Sequence, residues 1–352
     1  MKTFTHYIIE QELIQYGIDF ESFILEAAPA LASLQKQSPF VIQTDDGKKV
    51  PKYSALRFEL NKIMDEIENE DPKTKQQAQI AAKKSRHKAI FTKEEDNPKL
   101  TKSGEKVSEY MTVGLSLAPS TMSGIDVCPC ATDECKKACL GKEAGHAVMA
   151  PVRTGRIEKT EFLFNDPKTF MRRLTTEIDS AKRKAEKEGK KLAVRMNVLS
   201  DIPWEHIAPK LFAMYPDVQF YDYTKIPGRA TKEEKPSNYH LTFSSTGVNH
   251  PGSNWAEAKK YLDKGGVVAM IFKVSNIKDI PEYVQDVKSG KKYKVVDGDA
   301  HDHRHLDKVL NEIPGDEGVI AGLKLKGTNK GKAAAGNFAV EVPEDKIVKV
   351  EN

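Results

Sequence analysis

What this sequence lacks excludes several classes of protein. No apolar run approaches the roughly 20 residues that a membrane-spanning helix needs. The 55 Lys and Arg residues against 51 Asp and Glu residues leave a net charge of only +4, too small to indicate a nucleic-acid binder by itself. The first residues lack the long apolar stretch of a signal peptide. We therefore expect a cytoplasmic protein that makes no contact with a membrane.

Several well-known catalytic motifs are also missing. The chain has no G-x-x-x-x-G-K-[ST] phosphate loop, no G-x-G-x-x-G fingerprint after a predicted strand and no G-x-S-x-G nucleophile elbow. A zinc nucleobase deaminase would need H-x-E ahead of P-C-x-x-C, whereas here Pro129-Cys130 is followed by Cys135 and no H-x-E precedes it. These absences exclude the enzyme classes that depend on those motifs.

Cysteine is scarce, and its four copies lie within twelve consecutive positions. They are Cys128, Cys130, Cys135 and Cys139, with the spacing C-x-C-x4-C-x3-C. A disulfide framework does not suit a reduced cytoplasm or so large a chain, so the cluster indicates metal ligands or redox groups. The paired C-x2-C knuckles of common structural zinc sites are absent. We expect an iron–sulfur cluster, with zinc or a metal-free set of thiols or disulfides as alternatives.

The hydrophobic pattern changes near residue 105 and predicts two regions. Apolar residues in the first hundred positions suit short helices, and the charged stretch 94–106, with Pro98 and Gly104, indicates a linker. We therefore expect a small helical N-terminal region with its linker over residues 1–105. A larger domain that carries the cysteine loop is expected over residues 106–352.

The larger region alternates β-type runs with amphipathic stretches, of which the clearest is 167–188. The predicted strands are Met111–Leu117, Leu192–Val198, Val218–Tyr223, His240–Ser244, Val267–Val274, Tyr293–Val296 and Val319–Leu325. Such alternation predicts an α/β fold with a mainly parallel sheet and helical crossovers. Seven strands in this order favour a complete or partial β/α barrel, and an open doubly wound sheet is the alternative.

Polar residues follow the predicted strands at their carboxyl ends, where α/β proteins collect their functional groups. Any one of these loops can be ordinary solvated surface, but reactive residue types recur in them. The candidate catalytic residues are Asp201, Lys225, Asp299 and Lys324. The candidate cofactor-binding residues are Asn197, Tyr223, Ser244 and Lys273.

The densest group of titratable side chains follows the sixth predicted strand. Its carboxylates and imidazoles could bind a divalent ion or act as general acid and base. A polar loop that opens a helix, with Asp302 as its cap, is the structural alternative. The members of the group are Asp297, Asp299, Asp302, Asp307, His301, His303 and His305.

The placement of a cysteine loop directly after the first strand of a β/α barrel resembles radical S-adenosylmethionine enzymes. Their usual C-x3-C-x2-C motif is not present, and Cys135-x3-Cys139 matches part of it. The resemblance implies a [4Fe–4S] cluster held by three cysteines, with S-adenosylmethionine bound to the remaining iron. We keep this as a hypothesis.

The sequence also resembles the phage gene product 88 family over roughly residues 110 to 330, with the N-terminal region outside the resemblance. The segments that carry it are Leu115–Pro119, Cys128-Pro129 with Cys135-x3-Cys139, Arg195–Asp201, Tyr221–Lys225, Gly298-Asp299 and Gly322–Lys324. Members usually have Cys-Tyr-Ala where this chain has Cys139-Leu140-Gly141. They often have Ser-Gly-Asp where this chain has Leu199-Ser200-Asp201. The family has no established activity, so the resemblance implies no particular reaction. It does imply a viral origin and therefore a location in the host cytoplasm. It also implies that the ligating cysteines are Cys128, Cys135 and Cys139.

Two functions follow as expectations. The first is an enzyme with an iron–sulfur cluster or metal, which acts on a polar, for example nucleotide-like, small molecule at the mouth of the barrel. The second is an accessory protein with a structural zinc that binds nucleic acid or a host factor. In that case the basic stretch 73–88 would contact phosphates. The alternative for this stretch is a solvated helix face.

Overall fold

The structure is a computed structural model and describes residues 38–84, 89–93, 107, 109–143, 149–232 and 234–351. The helices predicted before residue 38 and the predicted linker 94–106 lie outside the described residues. Across the described ranges, no helix is both long and apolar enough to cross a membrane.

The described residues contain twelve strands. They are β1 (Val41–Gln43), β2 (Lys49–Pro51), β3 (Phe91–Lys93), β4 (Tyr110–Leu115), β5 (Lys191–Arg195), β6 (Gln219–Thr224), β7 (Tyr239–Ser244), β8 (Val267–Phe272), β9 (Tyr283–Asp286), β10 (Lys292–Asp297), β11 (Val319–Lys324) and β12 (Ile347–Val350). β1 and β2 form a separate antiparallel pair. The other ten form one sheet in the order β12-β9-β10-β11-β8-β7-β6-β5-β4-β3.

Eleven α-helices lie in the same described ranges. They are α1 (Tyr53–Glu68), α2 (Pro72–Lys84), α3 (Asp133–Lys137), α4 (Leu140–Glu143), α5 (Ala150–Asn165), α6 (Pro167–Lys187), α7 (Trp204–Ile207), α8 (Pro209–Met214), α9 (Trp255–Asp263), α10 (Asp307–Leu310) and α11 (Asn329–Ala334). Single 3-10 turns occur at Ile277–Asp279, Arg304–Leu306 and Gly336–Phe338.

The predicted mainly parallel sheet is confirmed. The seven neighbours from β10 through β11 and β8 to β4 are all parallel, and they correspond to the seven runs predicted from the sequence. The predicted long helix is α6, which begins after Asp166 accepts a hydrogen bond from the Thr169 backbone N–H. Pro167 occupies its first turn, where no intrahelical N–H bond is lost.

One face of the sheet is apolar on β4 to β7, and α6 packs against it. The core cluster at this face contains one side chain from each of these four strands and Phe170 of α6. The four are Val113, Val194, Phe220 and Leu241. A side chain of this size contributes roughly 1.5–3 kcal/mol when it is fully buried. This burial fixes which face of each strand points away from the helices.

The opposite face, called the inner face below, is polar on β4 to β7. Its side chains are Thr112, Arg195, Tyr221, Tyr223, His240 and Thr242. The segment 301–306, which follows β10, lies across this face. His303 Nε2 is 3.1 Å from Thr112 Oγ1, and Arg195 Nη1 donates to Asp302 Oδ2 at 2.7 Å. The inner face is therefore covered by a segment of the chain itself.

The predicted closure into a complete barrel is not observed. In the described part of the chain, β12 and β3 are the two edges of a linear strand order and do not pair. Both ends of the parallel unit are extended by antiparallel strands, β3 beside β4 and β9 beside β10. Because β4 and β10 already have these neighbours, they cannot pair with each other.

The described part of the first hundred residues contributes to this same core. Leu56, Leu60 and Ile63 of α1 are buried in the main cluster, and α1 and α2 both pack against α6. β3 pairs with β4, so residues before 105 also extend the sheet.

Candidate functional site

The cysteine loop follows β4 and includes the short helices α3 and α4. All four cysteines are free and half-buried. Cys128 Sγ donates to the Leu199 carbonyl at 3.3 Å and accepts from the Ser120 N–H at 3.2 Å. α3 begins where the Thr132 hydroxyl accepts a hydrogen bond from the Cys135 N–H at 3.2 Å. The loop is therefore anchored to the segment after β5 and shaped by a helix cap.

The thiols share their surroundings with Asp201 and Lys225. Burial raises the pKa of the Cys130 thiol, the Asp201 charge raises it further, and the Lys225 ammonium lowers it. Burial likewise raises the pKa of Cys135, on which Lys225 and Cys139 also act. Two candidate catalytic residues therefore lie close enough to the thiols to influence their charge.

The buried thiols must lose protons before they can ligate a metal. Burial raises the pKa of Cys128 in the same direction as the pKa of Cys130 and Cys135. Lys136 and Lys225 oppose the rise at Cys130 and Cys135 and so favour the thiolate form of these two. Thiolates suit zinc or an iron–sulfur cluster by donor chemistry. Among the described residues, however, no three Cys, His, Asp or Glu side chains are arranged as ligands around one point.

Asp201 is held in place from three directions. Its backbone N–H donates to the Val127 carbonyl at 2.8 Å, which ties it to the start of the cysteine loop. Its Oδ2 accepts from the Lys225 N–H and its Oδ1 accepts from Arg229 Nη1, both at 2.7 Å. Arg229 also donates to both carboxylate oxygens of Glu205 at 2.7 Å. Sequence reasoning missed Arg229 and Glu205, because neither follows a strand directly.

Asn197 is placed to shape the backbone after β5. Its amide oxygen accepts from the Ile202 N–H at 2.9 Å and its Nδ2 donates to the Ile202 carbonyl at 2.9 Å. Its N–H and Nδ2 also donate to Asp222, at 2.6 and 2.9 Å. Burial raises the pKa of Asp222 to about 7, although the Tyr239 hydroxyl and the Asn197 N–H stabilise its charged form. This arrangement orients the loop that carries Asp201.

Lys225 and Ser244 face each other at the carboxyl ends of β6 and β7. Lys225 Nζ donates to Ser244 Oγ at 2.8 Å and lies 5.4 Å from the centre of the Phe338 ring. Phe338 belongs to the segment 329–338, which packs over α3 and α4. This covering segment brings the C-terminal part of the chain against the cysteine loop.

Three other predicted site residues have different partners. Lys273 Nζ pairs with Glu341 at 2.8 Å, and Lys324 Nζ donates to the Ser275 carbonyl at 3.4 Å. Asp299 pairs with Lys326. None of these pairings involves a cysteine-loop residue, whereas Asp201 bonds to Val127 of that loop and to the Lys225 N–H.

Tyr223 belongs to a polar group on the inner face. Its hydroxyl and the hydroxyl of Tyr221 donate to the two oxygens of Asp302, each at 3.1 Å. The Arg195 guanidinium lies 4.5 Å from the centre of the Tyr223 ring and donates to Asp302. Sequence reasoning selected Tyr223 but missed Arg195 as its partner, because Arg195 lies in the middle of the predicted strand Leu192–Val198, whereas the observed β5 ends at Arg195.

Three histidines line up beside this group. The ring centres of His303 and His305 are 5.4 Å apart, and those of His240 and His305 are 6.3 Å apart. Within the described structure, His303 Nδ1, His240 Nε2 and both ring nitrogens of His305 are buried without a hydrogen-bond partner. Asp302, His303 and His305 of the predicted titratable group thus lie against the inner face rather than at the cysteines, whereas Asp299 pairs with Lys326.

Gly141 and Leu199 are neighbours within the cysteine-loop region. A Cβ atom on Gly141 would lie 3.0 Å from Cδ1 and from Cδ2 of Leu199. A small residue at 141 therefore makes room for a large residue at 199. Gly141 and Leu199 therefore pack as one unit beside Cys139 and Cys128.

One protein-family model matches most of the chain. The family model described as Gene product 88 matches residues 74–339, about three quarters of the sequence. The match begins well before residue 110, so the predicted limit of the resemblance was wrong at that end, where α2 and β3 are included. No curated protein and no solved structure matches the chain significantly. The chain belongs to the gene product 88 family.

Proposed function

We propose that this phage-family protein is an enzyme that binds a metal ion or iron–sulfur cluster through its cysteine loop. Its substrate is a polar, for example nucleotide-like, molecule at the adjacent mouth of a partial β/α barrel. The observation that supports this proposal is that Asp201 bonds both to Val127, directly before Cys128, and to the backbone N–H of Lys225. We place this activity in the host cytoplasm, where thiols stay reduced.

Each group near the thiols has a distinct role in this proposal. The cluster or metal would supply redox or Lewis-acid chemistry when bound. Lys225, half-buried and bonded to Ser244, offers an ammonium group to a polar substrate. Asp201 fixes the backbone of Lys225 and is itself fixed by Arg229. Buried polar groups arranged in this way keep their geometry while the substrate binds.

The test is metal and acid-labile sulfide analysis on protein purified without oxygen, together with an absorption spectrum. We expect iron and sulfide, lost in Cys128→Ser, Cys135→Ser and Cys139→Ser but retained in Cys130→Ser, the matched control. A spectral change on adding S-adenosylmethionine would support the radical-enzyme hypothesis. Metal-free protein from every preparation would refute the proposal.

Stoichiometric zinc without visible absorption would favour the second function, an accessory protein with a structural zinc. Its basic segment is only partly described. Lys73 is exposed near the start of α2, and residues 85–88 lie outside the described residues. Nucleic-acid binding through residues 73–88 stays a prediction, for which a steep fall of affinity with salt is the measurement.

A further inference from the structure

The helix α5 carries a polar stripe that contacts both ends of the cysteine loop. Its members are Arg153, Arg156 and Thr160, whose spacing of three and four residues places them on one face of the helix. The Thr160 hydroxyl accepts from the Ala118 N–H at 2.9 Å, where the loop begins after β4, and donates to the Arg156 carbonyl at 2.9 Å. Thr160 is fully buried, so the start of the loop is fixed to α5 in a place that water does not reach.

The two arginines of this stripe contact the other end of the loop. Arg156 Nη1 donates to the Gly141 carbonyl at 2.8 Å, and Arg153 Nη2 donates to the Lys142 carbonyl at 3.1 Å. A helix leaves its last four carbonyls without partners inside the helix, and α4 has only four residues. The guanidinium groups satisfy two of these carbonyls. Because α4 begins directly after Cys139, α5 fixes the backbone that follows this cysteine.

Arg156 also interacts with Cys139 through its charge. Its side chain is half-buried, and among the side chains that the structure describes it forms no ion pair with a carboxylate. Burial lowers the pKa of Arg156, whereas the charge of Cys139 favours the guanidinium cation and opposes this change. An interaction between two charges is mutual, so the cation favours the thiolate form of Cys139. The thiolate is the form of cysteine that ligates a metal.

We propose that Arg156 is a positioning residue for the metal site, because it holds α4 through the Gly141 carbonyl and favours the thiolate form of Cys139. Arg156 acts through Cys139 and does not itself ligate the metal. The inference deepens the proposed function and rests on it, since the cysteine loop is the site that Arg156 prepares. The effect of Arg156 on the thiol is measurable without a bound metal, so the two ideas can fail separately.

The experiment is alkylation of the full-length protein by iodoacetamide after its metal has been removed with EDTA, followed by mass spectrometry of tryptic peptides. Trypsin cuts after Lys137 and Lys142, so Cys139 lies on the peptide 138–142, apart from the other three cysteines. Iodoacetamide reacts with the thiolate. We therefore expect Arg156→Gln to slow the alkylation of Cys139 at least about threefold near neutral pH, and Arg156→Lys, which keeps the charge, to restore most of the rate.

Thr160→Val is the matched control, because it removes a bond between α5 and the loop without removing a charge. It should not slow the alkylation of Cys139. If Arg156 only holds the backbone, its loss exposes the thiol, and alkylation becomes faster in Arg156→Gln and Arg156→Lys alike. That result, or an unchanged rate in Arg156→Gln, would overturn the proposal. Should Arg156→Gln fail to fold, by circular dichroism, Arg156→Met replaces it, since it keeps the packing of the aliphatic chain.

The metal gives a second and independent measurement. Competition between the protein and EDTA for Zn²⁺ reports the metal affinity, which Arg156→Gln should lower about 10–100-fold, the usual effect of removing a group that orients a ligand. Wild-type affinity for Zn²⁺ in Arg156→Gln would count against the positioning role. Wild-type protein that binds no metal would refute the proposed function, whereas the alkylation rates would still decide whether Arg156 acts on Cys139.

Discussion

Gly141 and Leu199 show how single residues adapt the surroundings of the cysteines. Alanine in a helix normally gains up to about 1 kcal/mol over glycine, and Gly141 lies within α4. Here the added methyl group would press on Leu199 and on Pro119, each at 3.0 Å. Overpacking of this kind costs about 1–3 kcal/mol. The sign of the substitution therefore depends on the neighbour.

We expect Gly141→Ala to destabilise the wild type by more than it destabilises Leu199→Ala, in which only the close contact with Pro119 remains. Urea unfolding of the wild type, both single variants and the double variant measures the coupling, which for residues in contact is about 0.5–3 kcal/mol. If the effects of the two substitutions on the free energy of unfolding are additive, the methyl group added at position 141 does not clash with the Leu199 side chain.

Arg229 is the residue on which the position of Asp201 depends. Its side chain is 4% exposed and faces the carboxylates of Asp201 and Glu205. Arg229→Met leaves both acids partly buried without their cation, and removing one member of such a group costs about 3–5 kcal/mol. We expect a loss of this size in the free energy of unfolding from urea titrations. Lys260→Met, on an exposed ion pair, should produce no resolvable change. A similarly small effect for Arg229→Met would contradict the assignment.

At the scale of elements, the loop after β7 holds the segment 329–338 against the cysteine loop. Gly247 has φ +93°, and a Cβ atom there would lie 1.9 Å from the Asn337 carbonyl oxygen. No side chain fits without a shift of the segment's backbone. Gly228 has φ +74°, and a Cβ atom added to it would meet nothing within 4 Å, so it shares the backbone conformation but not the close approach.

We expect Gly247→Ala to destabilise the protein by more than Gly228→Ala, whose cost is about 1–2 kcal/mol for the left-handed backbone alone. Amide hydrogen exchange should become faster in residues 329–338 and in α3 for Gly247→Ala only, because these elements pack on each other. Equal exchange in the two variants would mean that the segment is held by other contacts.

At the scale of the whole molecule, the buried histidines should make the fold sensitive to acid. Burial lowers the pKa of His301 and His303 to about 4, of His240 to about 3 and of His305 to about 2. Between pH 4 and 6.5 these four side chains bind protons only after unfolding, so stability falls as the pH falls through this window. Burial raises the pKa of Asp222 and Asp307 to about 7, which acts in the opposite direction.

Burial also lowers the pKa of His206 to about 4, so His206 behaves like these four histidines. Five groups against two leave a net uptake of between two and three protons on unfolding near pH 5.5. The free energy of unfolding should therefore drop by about 3.5 kcal/mol for each unit of pH decrease in that region. Urea unfolding at a series of pH values measures the slope, and His303→Gln should reduce it. Stability that is constant or increases between pH 6.5 and 4 would contradict the burial of the histidines.

The sequence by itself determined where the parallel strands and α6 form and which kinds of side chain follow the strands. Short β-type runs and a helical spacing of apolar residues predicted all seven parallel strands and α6, because both patterns are local properties of the chain. The cysteine cluster, Asp201 and Lys225 were found because each follows a strand, and the carboxyl ends of parallel strands meet at one edge.

Only the tertiary structure decided which of these groups meet. Arg195 and Asp302 are 107 positions apart and pair because the segment after β10 lies across the inner face. The antiparallel neighbours of β4 and β10 exclude closure of the described sheet, and Lys273 and Lys324 find partners away from the thiols. Contacts of this kind depend on how distant elements pack, and no local pattern of residues encodes them.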